Sequence, residues 1–209
     1  VMRGHRFEGL TPEGRRVLVW AQQILTDYDS LKQELGTLRN ELSGSLRLGV
    51  IPAAMPAVAH LTAPFCATHP RVTFDVRSMD SRAIQRGLEA FELDGGITYL
   101  DNEPLSHVRR VPIYREKFVF VTRRDGALAN RKSIKWRQAI SENLCLLSED
   151  MQNRRIINDL VRSLGLSIQP STVSNSFAGI CAHVLQGKWS SIVPHTFSYM
   201  FSNSDTIAT

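Results

Sequence analysis

Apolar residues near the start of the chain recur at alternating steps of four and three. They are Val17, Ala21, Ile24, Tyr28, Leu31, Leu35, Leu38 and Leu42. A period of about 3.5 residues keeps one narrow stripe facing a partner helix, whereas a helix packed on its own domain has a broader stripe with a period of about 3.6. The spacing therefore predicts a long helix that pairs with another chain. The alternative is a helix that folds back on its own core.

Both ends of this helix carry the expected signals. Thr11 is a good N-cap, and Pro12 suits the first helical position because its missing N–H is not needed there. Ser43-Gly44-Ser45 ends the helix and separates it from the rest of the chain. We therefore expect a dimerisation helix over residues 12–43 and a globular body over residues 44–209.

Composition narrows the class of protein. The chain has no apolar run of the roughly 18 residues that a membrane span needs, and its first residues lack the pattern of a secretion signal. Three cysteines, Cys66, Cys145 and Cys181, lie far apart in apolar surroundings. This usage favours buried thiols in a reducing compartment. We expect a cytoplasmic protein with no membrane partner.

Positive charge is concentrated in one segment. Residues 109–137 contain ten Lys or Arg residues against only Glu116 and Asp125, within a chain whose formal net charge is +5. Such an excess suits an anion or the DNA backbone. A solvated surface with acidic neighbours elsewhere in the fold explains it equally well.

The body alternates between strand-like and helical segments. Strands are predicted at Leu46–Ile51, Val72–Arg77 and Gly95–Tyr99, with helices at Ala53–Thr68 and from Asp80 or Ser81 to Phe91. This βαβαβ order implies parallel strands covered by helices.

The alternation restarts after two extended segments, His107–Tyr114 and Lys117–Val121. Helices are predicted at Trp136–Ile140, Met151–Leu164 and Phe177–Leu185, and strands at Leu144–Leu147, Ser171–Val173 and Ser190–Val193. Repetition of the unit predicts an α/β fold with two Rossmann-like lobes and a cleft, lobe I over about 45–118 and lobe II over about 119–195.

Signatures of catalysis are absent from the sequence. It has no GxSxG elbow, P-loop, HExxH or complete GxGxxG after a strand. No His pairs with another His or Cys at a metal-ligand spacing, and Asp94 suits a turn better than catalysis. We therefore predict no catalytic residue, no metal and no cofactor.

A binding cleft is better supported, because turns that lead from a strand into a helix recur in both lobes. The N–H groups at a helix start attract carboxylates and other anions, although each of these turns is also a plain helix cap. The candidate effector-binding residues in these turns are Pro52, Ala53, Ala54 and Met55, then Met151, Gln152 and Asn153, then Ser174 and Asn175.

Six short motifs, in order along the chain, resemble those of LysR-type transcriptional regulators. They are Leu10-Thr11-Pro12-Glu13-Gly14 (LT-x-x-G), the heptad helix, Gly44–Gly49 (G-x-L-x-x-G), Phe65–Val72 (F-x-x-x-x-P-x-V), Leu93–Ile97 (L-D-x-x-I) and Gln186–Pro194 (G-x-G-I-x-x-x-P). The resemblance implies a periplasmic-binding-protein-like effector domain whose inducer, an anion among the candidates, binds between the lobes and changes the subunit arrangement to control transcription. It also implies a homodimer or homotetramer.

The same resemblance assigns residues 1–11 to the wing of a winged helix-turn-helix, so DNA would be bound only through an N-terminal domain that this chain lacks. It adds Ser81 to the effector-pocket positions and implies that the chain returns toward lobe I after residue 195. Many members carry Ser or Thr in the turn where this chain has Pro52, Ala53 and Ala54. The alternatives are a periplasmic-type solute-binding protein, which the heptad helix disfavours, and a small α/β enzyme, which would need a clustered catalytic site.

Overall fold

The computed structural model of the chain describes residues 2–3, 7–37, 42–101, 103, 105–198 and 205–208. Internal contacts divide the chain into two compact units. The first comprises Val1–Val50 and Val58–Ile97, and the second comprises Ile51–Ala57 and Thr98–Thr209. Within the described residues, no helix is both long and apolar enough to cross a membrane.

The first unit begins with a short ladder and a long helix. Strands β1 (Met2–Arg3) and β2 (Phe7–Gly9) pair antiparallel, and helix α1 spans Pro12–Thr37. The Gly14 N–H donates to Thr11 Oγ1 at 3.1 Å. This bond confirms Thr11 as the N-cap of the helix.

The apolar seam of α1 lies in solvent. Val17 is 67% exposed and Ile24 is 64% exposed, and Tyr28, Leu31 and Leu35 are also exposed. The described part of the chain therefore does not cover the seam, which disfavours a helix folded back on its own core. Of the other predicted seam residues, Ala21 is exposed in α1, Leu38 lies outside the described residues, and Leu42 follows the helix in an irregular segment.

The body of the first unit is a parallel sheet in the order β4-β3-β5. Its strands are β3 (Gly44–Val50), β4 (Val72–Ser78) and β5 (Gly95–Ile97). Helices α2 (Met55–Thr68) and α3 (Ser81–Glu89) make the connections. The predicted βαβαβ order and its parallel pairing are confirmed.

Glycines allow α3 to approach this sheet closely. A Cβ added at Gly49 of β3 would lie 2.6 Å from Leu93 Cδ1 and 3.0 Å from Ile84 Cγ1, and one added at Gly96 of β5 would lie 2.5 Å from Ile84 Cγ2. Ile84 and Leu93 are buried, so neither side chain has room to move aside. The close contact between helix and sheet therefore depends on the missing side chains.

The second unit is a mixed α/β structure. Strand β6 (Phe118–Arg123) pairs antiparallel with both β9 (Ser191–Pro194) and β10 (Ile207–Ala208), while β7 (Cys145–Leu147) pairs parallel with β8 (Thr172–Ser174). Its helices are α4 (Trp136–Ala139), α5 (Gln152–Ser163) and α6 (Phe177–Leu185). Its core is built from Ala139, Leu144, Leu146, Ile157, Val161 and Ile192.

The predicted strand-like segment His107–Tyr114 is wrong. Residues 105–117 form no strand, and the apolar side chains that suggested one are exposed, Val111 to 64%. The alternating apolar side chains of this segment do not face a core. They therefore lack the packing that would stabilise a strand.

The contacts also divide the chain differently from the expected lobes. Residues 51–57 and 98–118, expected in lobe I, both belong to the second unit. Strand β10 pairs with β6 of the second unit, so residues 207–208 do not make the expected return to lobe I.

Candidate functional site

The predicted effector-binding residues fall almost entirely in the second unit. Ser81 alone belongs to the first unit, where it is buried as the first residue of α3. The preceding Asp80 caps that helix, because its Oδ1 accepts from the Ala83 N–H at 2.8 Å. The start of α3 is therefore satisfied by its own neighbour.

The turn over Pro52–Ala54 is a short 3₁₀ helix with little free hydrogen-bonding capacity. Ala53 is 1% exposed and Ala54 is 2% exposed. The Ala54 N–H donates to Ile51 O at 2.9 Å, the Met55 N–H donates to Pro52 O, and Pro52 has no N–H. Only Ala53 of these four residues therefore retains an N–H that could meet a ligand.

The turn before α6 is also committed locally. Ser176 caps this helix, its Oγ accepting from the Ala178 N–H at 3.2 Å. Ser174 Oγ donates to Ser176 O and accepts from the Ser176 N–H. Asn175 is exposed between them.

The start of α5 differs from the other two helix starts. Its N-cap residue is Met151, whose side chain makes no capping hydrogen bond to the described residues. The next residue, Gln152, is 4% exposed, and its Oε1 accepts from Thr98 Oγ1 at 3.3 Å. Two buried atoms at this junction, Gln152 Nε2 and Ser148 Oγ, have no hydrogen-bond partner among the described residues.

A chain of hydrogen bonds leads from α5 to the half-buried carboxyl group of Glu116. Asn153 Nδ2 donates to Tyr99 Oη at 3.0 Å, and Tyr99 Oη donates to Glu116 Oε1. Tyr114 Oη donates to Glu116 Oε2 at 3.4 Å. The Asn153 amide is thereby oriented, since one of its donors is used by Tyr99.

Burial controls the ionisation of this chain of groups. It raises the pKa of Glu116 from the ordinary value of 4.5 to about 7, against the opposing hydrogen bonds from the two tyrosines. Burial and the nearby Glu116 carboxylate raise the pKa of Tyr99, and they raise that of Tyr114 to about 12. Both phenols therefore remain protonated donors at neutral pH.

Two arginines in the first turn of α5 are already paired. Arg155 Nε donates to Glu103 Oε1 at 2.6 Å, and its Nη1 donates to the carbonyl oxygens of Glu149 and Asp150. Arg154 is buried, and its Nη1 donates to Leu147 O at 2.9 Å. Burial lowers the pKa of Arg154, with Glu149 acting in the opposite direction.

The sequence indicates only part of this site. Met151, Gln152 and Asn153 are marked by their position after a strand, but no contact of Thr98 or Tyr99 is predicted, and Glu116 counts only as a charge. Tyr99 and Asn153 are 54 positions apart, and no local pattern connects them.

Asp94 has the structural role that its position in a turn suggested. It accepts from the Arg47 backbone N–H at 2.8 Å and from Arg47 Nη2 at 2.7 Å. Although burial pushes the pKa of Asp94 upward, these bonds from Arg47 hold it below its ordinary value. The pair ties β3 to the residue that precedes β5.

Comparisons with known proteins identify the family. The model of the family described as the LysR substrate binding domain matches residues 39–206. A probable hydrogen peroxide-inducible genes activator from Streptomyces viridosporus is 30% identical over 192 residues, which cover 90% of this chain and 60% of that protein. The chain thus spans less than two thirds of that relative.

Solved structures show the same fold. A cysteine mutant of OxyR from Corynebacterium glutamicum, bound to H2O2, has a TM-score of 0.72 at 22% identity, covering 95% of this chain and 63% of that one. The regulatory domain of CcmR from Synechocystis, in complex with 2-PG, has a TM-score of 0.66 at 18% identity over 79% of each chain. Because the family model matches most of its length, this chain belongs to the LysR substrate-binding domain family.

Proposed function

We propose that this chain is the sensing part of a transcriptional regulator, binding a small molecule and passing that event to DNA-binding domains. The observation that carries the proposal is the start of α5, where two buried polar atoms have no partner among the described residues, in a domain of a regulator family. The named relative from Streptomyces viridosporus is an activator of genes, and the CcmR regulatory domain was solved with a bound small molecule.

The effector would contact residues at the ends of strands in the second unit. The candidate contacts remain Pro52, Ala53, Ala54, Met55, Ser81, Met151, Gln152, Asn153, Ser174 and Asn175. Of the three turns in the second unit, the one at Met151–Asn153 is best supported, because the others satisfy most of their own polar groups.

Transmission to DNA requires a second chain, and α1 is suited to recruit one. Its exposed apolar side chains, with Trp20 and Leu25 beside the seam, would be covered by the same helix of a partner. Effector binding would then shift the population between two arrangements of the dimer or tetramer. A protein that controls transcription in this way acts in the cytoplasm of a bacterium, and regulation rather than catalysis is its role.

Binding of a small molecule explains this chain better than thiol oxidation, although relatives are named for hydrogen peroxide. Its three cysteines are free. Cys145 is buried, and burial raises the pKa of its thiol and that of Cys181. Since the thiolate is the reactive form, a raised pKa disfavours reaction with peroxide.

The proposal is tested by thermal unfolding in the presence of a metabolite panel that includes 2-PG and shikimate. A ligand present at 100 times its Kd stabilises the folded state by about 2.7 kcal/mol, which raises Tm by roughly 5–10 °C in a domain of this size. We expect the shift to be lost in Asn153→Ala and retained in Asn130→Ala, an exposed loop residue. A shift of equal size in both variants would place the ligand elsewhere, and no shift with any compound would count against a sensing function.

A further inference from the structure

Helices α3, α5 and α6 of the body each follow a strand, but they begin differently. The first turns of α3 and α6 are capped by the side chains of Asp80 and Ser176. Helix α5 begins after Met151, whose thioether is a poor acceptor, so its first N–H groups are not satisfied by the N-cap side chain. Helix α5 is therefore open to an external acceptor.

Side chains next to this helix start also have unused donors. Gln152 is more than nine-tenths buried, its Oε1 is held by Thr98 Oγ1, and its Nε2 has no partner in the described chain. Ser148, in the turn that leads into α5, is half-buried as a residue, and its buried Oγ also has no partner in the described chain. Buried polar atoms in native proteins almost always have partners, so two unpaired donors at one junction indicate a group that arrives from outside the chain.

The charges around this junction indicate what kind of group that is. Both arginines of the first turn already have partners. Arg155 pairs with Glu103 and donates to two carbonyl oxygens. Arg154 donates to Leu147 O, and its guanidinium lies 3.8 Å from the carboxylate of Glu149. The carboxylate of Asp150 lies in the turn just before the helix. The acidic groups thus offset the arginines, and an incoming anion would gain little from them.

The N–H groups of Arg154 and Arg155 donate to Met151 O, which leaves those of Gln152 and Asn153. We infer that the start of α5 binds an uncharged hydrogen-bond acceptor of the effector, a carbonyl or hydroxyl oxygen, through Ser148 Oγ, Gln152 Nε2 and these two N–H groups. This inference rests on the proposed sensing function and replaces the anion expected from the sequence. Asn153 is the next residue of this turn, and its bond to Tyr99 fixes the orientation of its amide. The ligand class is therefore a neutral polar molecule such as an amide, a sugar or a polyol.

The first test compares the Tm of three variants, each measured without ligand: Ser191→Ala, Ser148→Ala and Gln152→Met. Ser191 Oγ donates to Cys145 O at 2.7 Å, so Ser191→Ala should lower Tm by about 2–6 °C. Ser148→Ala and Gln152→Met remove donors that lack a partner, and they should leave Tm unchanged or raise it. If either variant loses as much stability as Ser191→Ala, the atom has a partner in the folded chain and the inference fails.

The second test uses two probes of equal shape, acetamide and acetate, titrated into the isotope-labelled protein and followed by NMR. Acetamide should cause saturable shifts at the backbone amides of Gln152 and Asn153 but not at the capped start of α6, and the Ser148→Ala/Gln152→Met variant should lose them. Stronger shifts with acetate would overturn the uncharged class. No saturable shift at these two amides would overturn the site.

These outcomes are separable from failure of the proposed function. If a metabolite stabilises both the wild type and the Ser148→Ala/Gln152→Met variant equally, the chain is a sensor but its ligand does not use these donors. If acetamide saturates the site while no metabolite stabilises the chain, the acceptor site stands and the sensing proposal fails.

Discussion

Replacing Glu116 by Gln should stabilise the protein at neutral and alkaline pH but not at acid pH. Gln keeps a carbonyl oxygen that accepts from Tyr99 and cannot ionise. In the folded protein, burial raises the pKa of the Glu116 carboxyl from 4.5 to about 7. A difference of about 2.5 pH units, at about 1.4 kcal/mol for each unit, corresponds to about 3 kcal/mol.

The sign follows from proton binding. Between pH 4.5 and 7 the folded carboxyl keeps its proton while the unfolded one has lost it, so the folded state binds more protons. The free energy of unfolding of the wild type therefore falls as pH rises through this window and is level above it. The variant should lack this fall, making it about 3 kcal/mol more stable at pH 8 and nearly equal to the wild type at pH 4.

Urea unfolding of both proteins between pH 4 and 8 measures the effect. The difference between the two curves removes the contributions of all groups that both proteins share. Glu142→Gln, which replaces an exposed carboxyl of the same unit, is the matched control and should follow the wild type. A difference curve that is flat across pH 4.5–7, or that changes in the opposite direction, would refute the raised pKa of Glu116.

Two other perturbations test the dimer seam and the close packing of the first unit. Leu31→Asp combined with Leu35→Asp should convert a sedimenting dimer into a monomer, because both side chains lie on the exposed seam of α1; an unchanged sedimentation coefficient would contradict the seam. Gly49→Ala should destabilise the protein by about 1–3 kcal/mol, since the new Cβ would overlap Leu93. Thermal unfolding checks this against Ser45→Ala, an exposed position of the same strand, and equal Tm values would show that α3 can move away.

Local signals predicted much of the fold. Helix α6 was predicted at its observed bounds, Phe177–Leu185, because an apolar helical pattern is followed by a glycine. Gly165 and Gly187, just past the ends of the helices predicted at Met151–Leu164 and Phe177–Leu185, have φ values of +69° and +83°, which glycine adopts without strain. Helix bounds and helix-ending glycines depend on residues that are adjacent in the sequence, and for this reason they can be predicted from it.

The candidate site was harder to predict because its contacts join distant residues. Tyr99 lies just beyond β5, at the end of a predicted strand, and Glu116 lies between two predicted extended segments, where it looked like a lone acid in a basic region. The lack of a partner at Ser148 Oγ is a property of the packed protein and has no signature in composition or period. The sequence thus located the right turn at Met151–Asn153 without showing which atoms there are available.

The division of the chain into units has a consequence for its synthesis. Residues 51–57 belong to the second unit although they are made before residues 58–97 of the first. Thr196 Oγ1 donates to Ala53 O across 143 positions. Contacts of such high sequence separation form late, since a long loop must close first. During translation, the turn at Pro52–Ala54 therefore lacks its packing partners until Thr196 has been made. The binding domain can therefore be completed only after the chain up to Thr196 has left the ribosome.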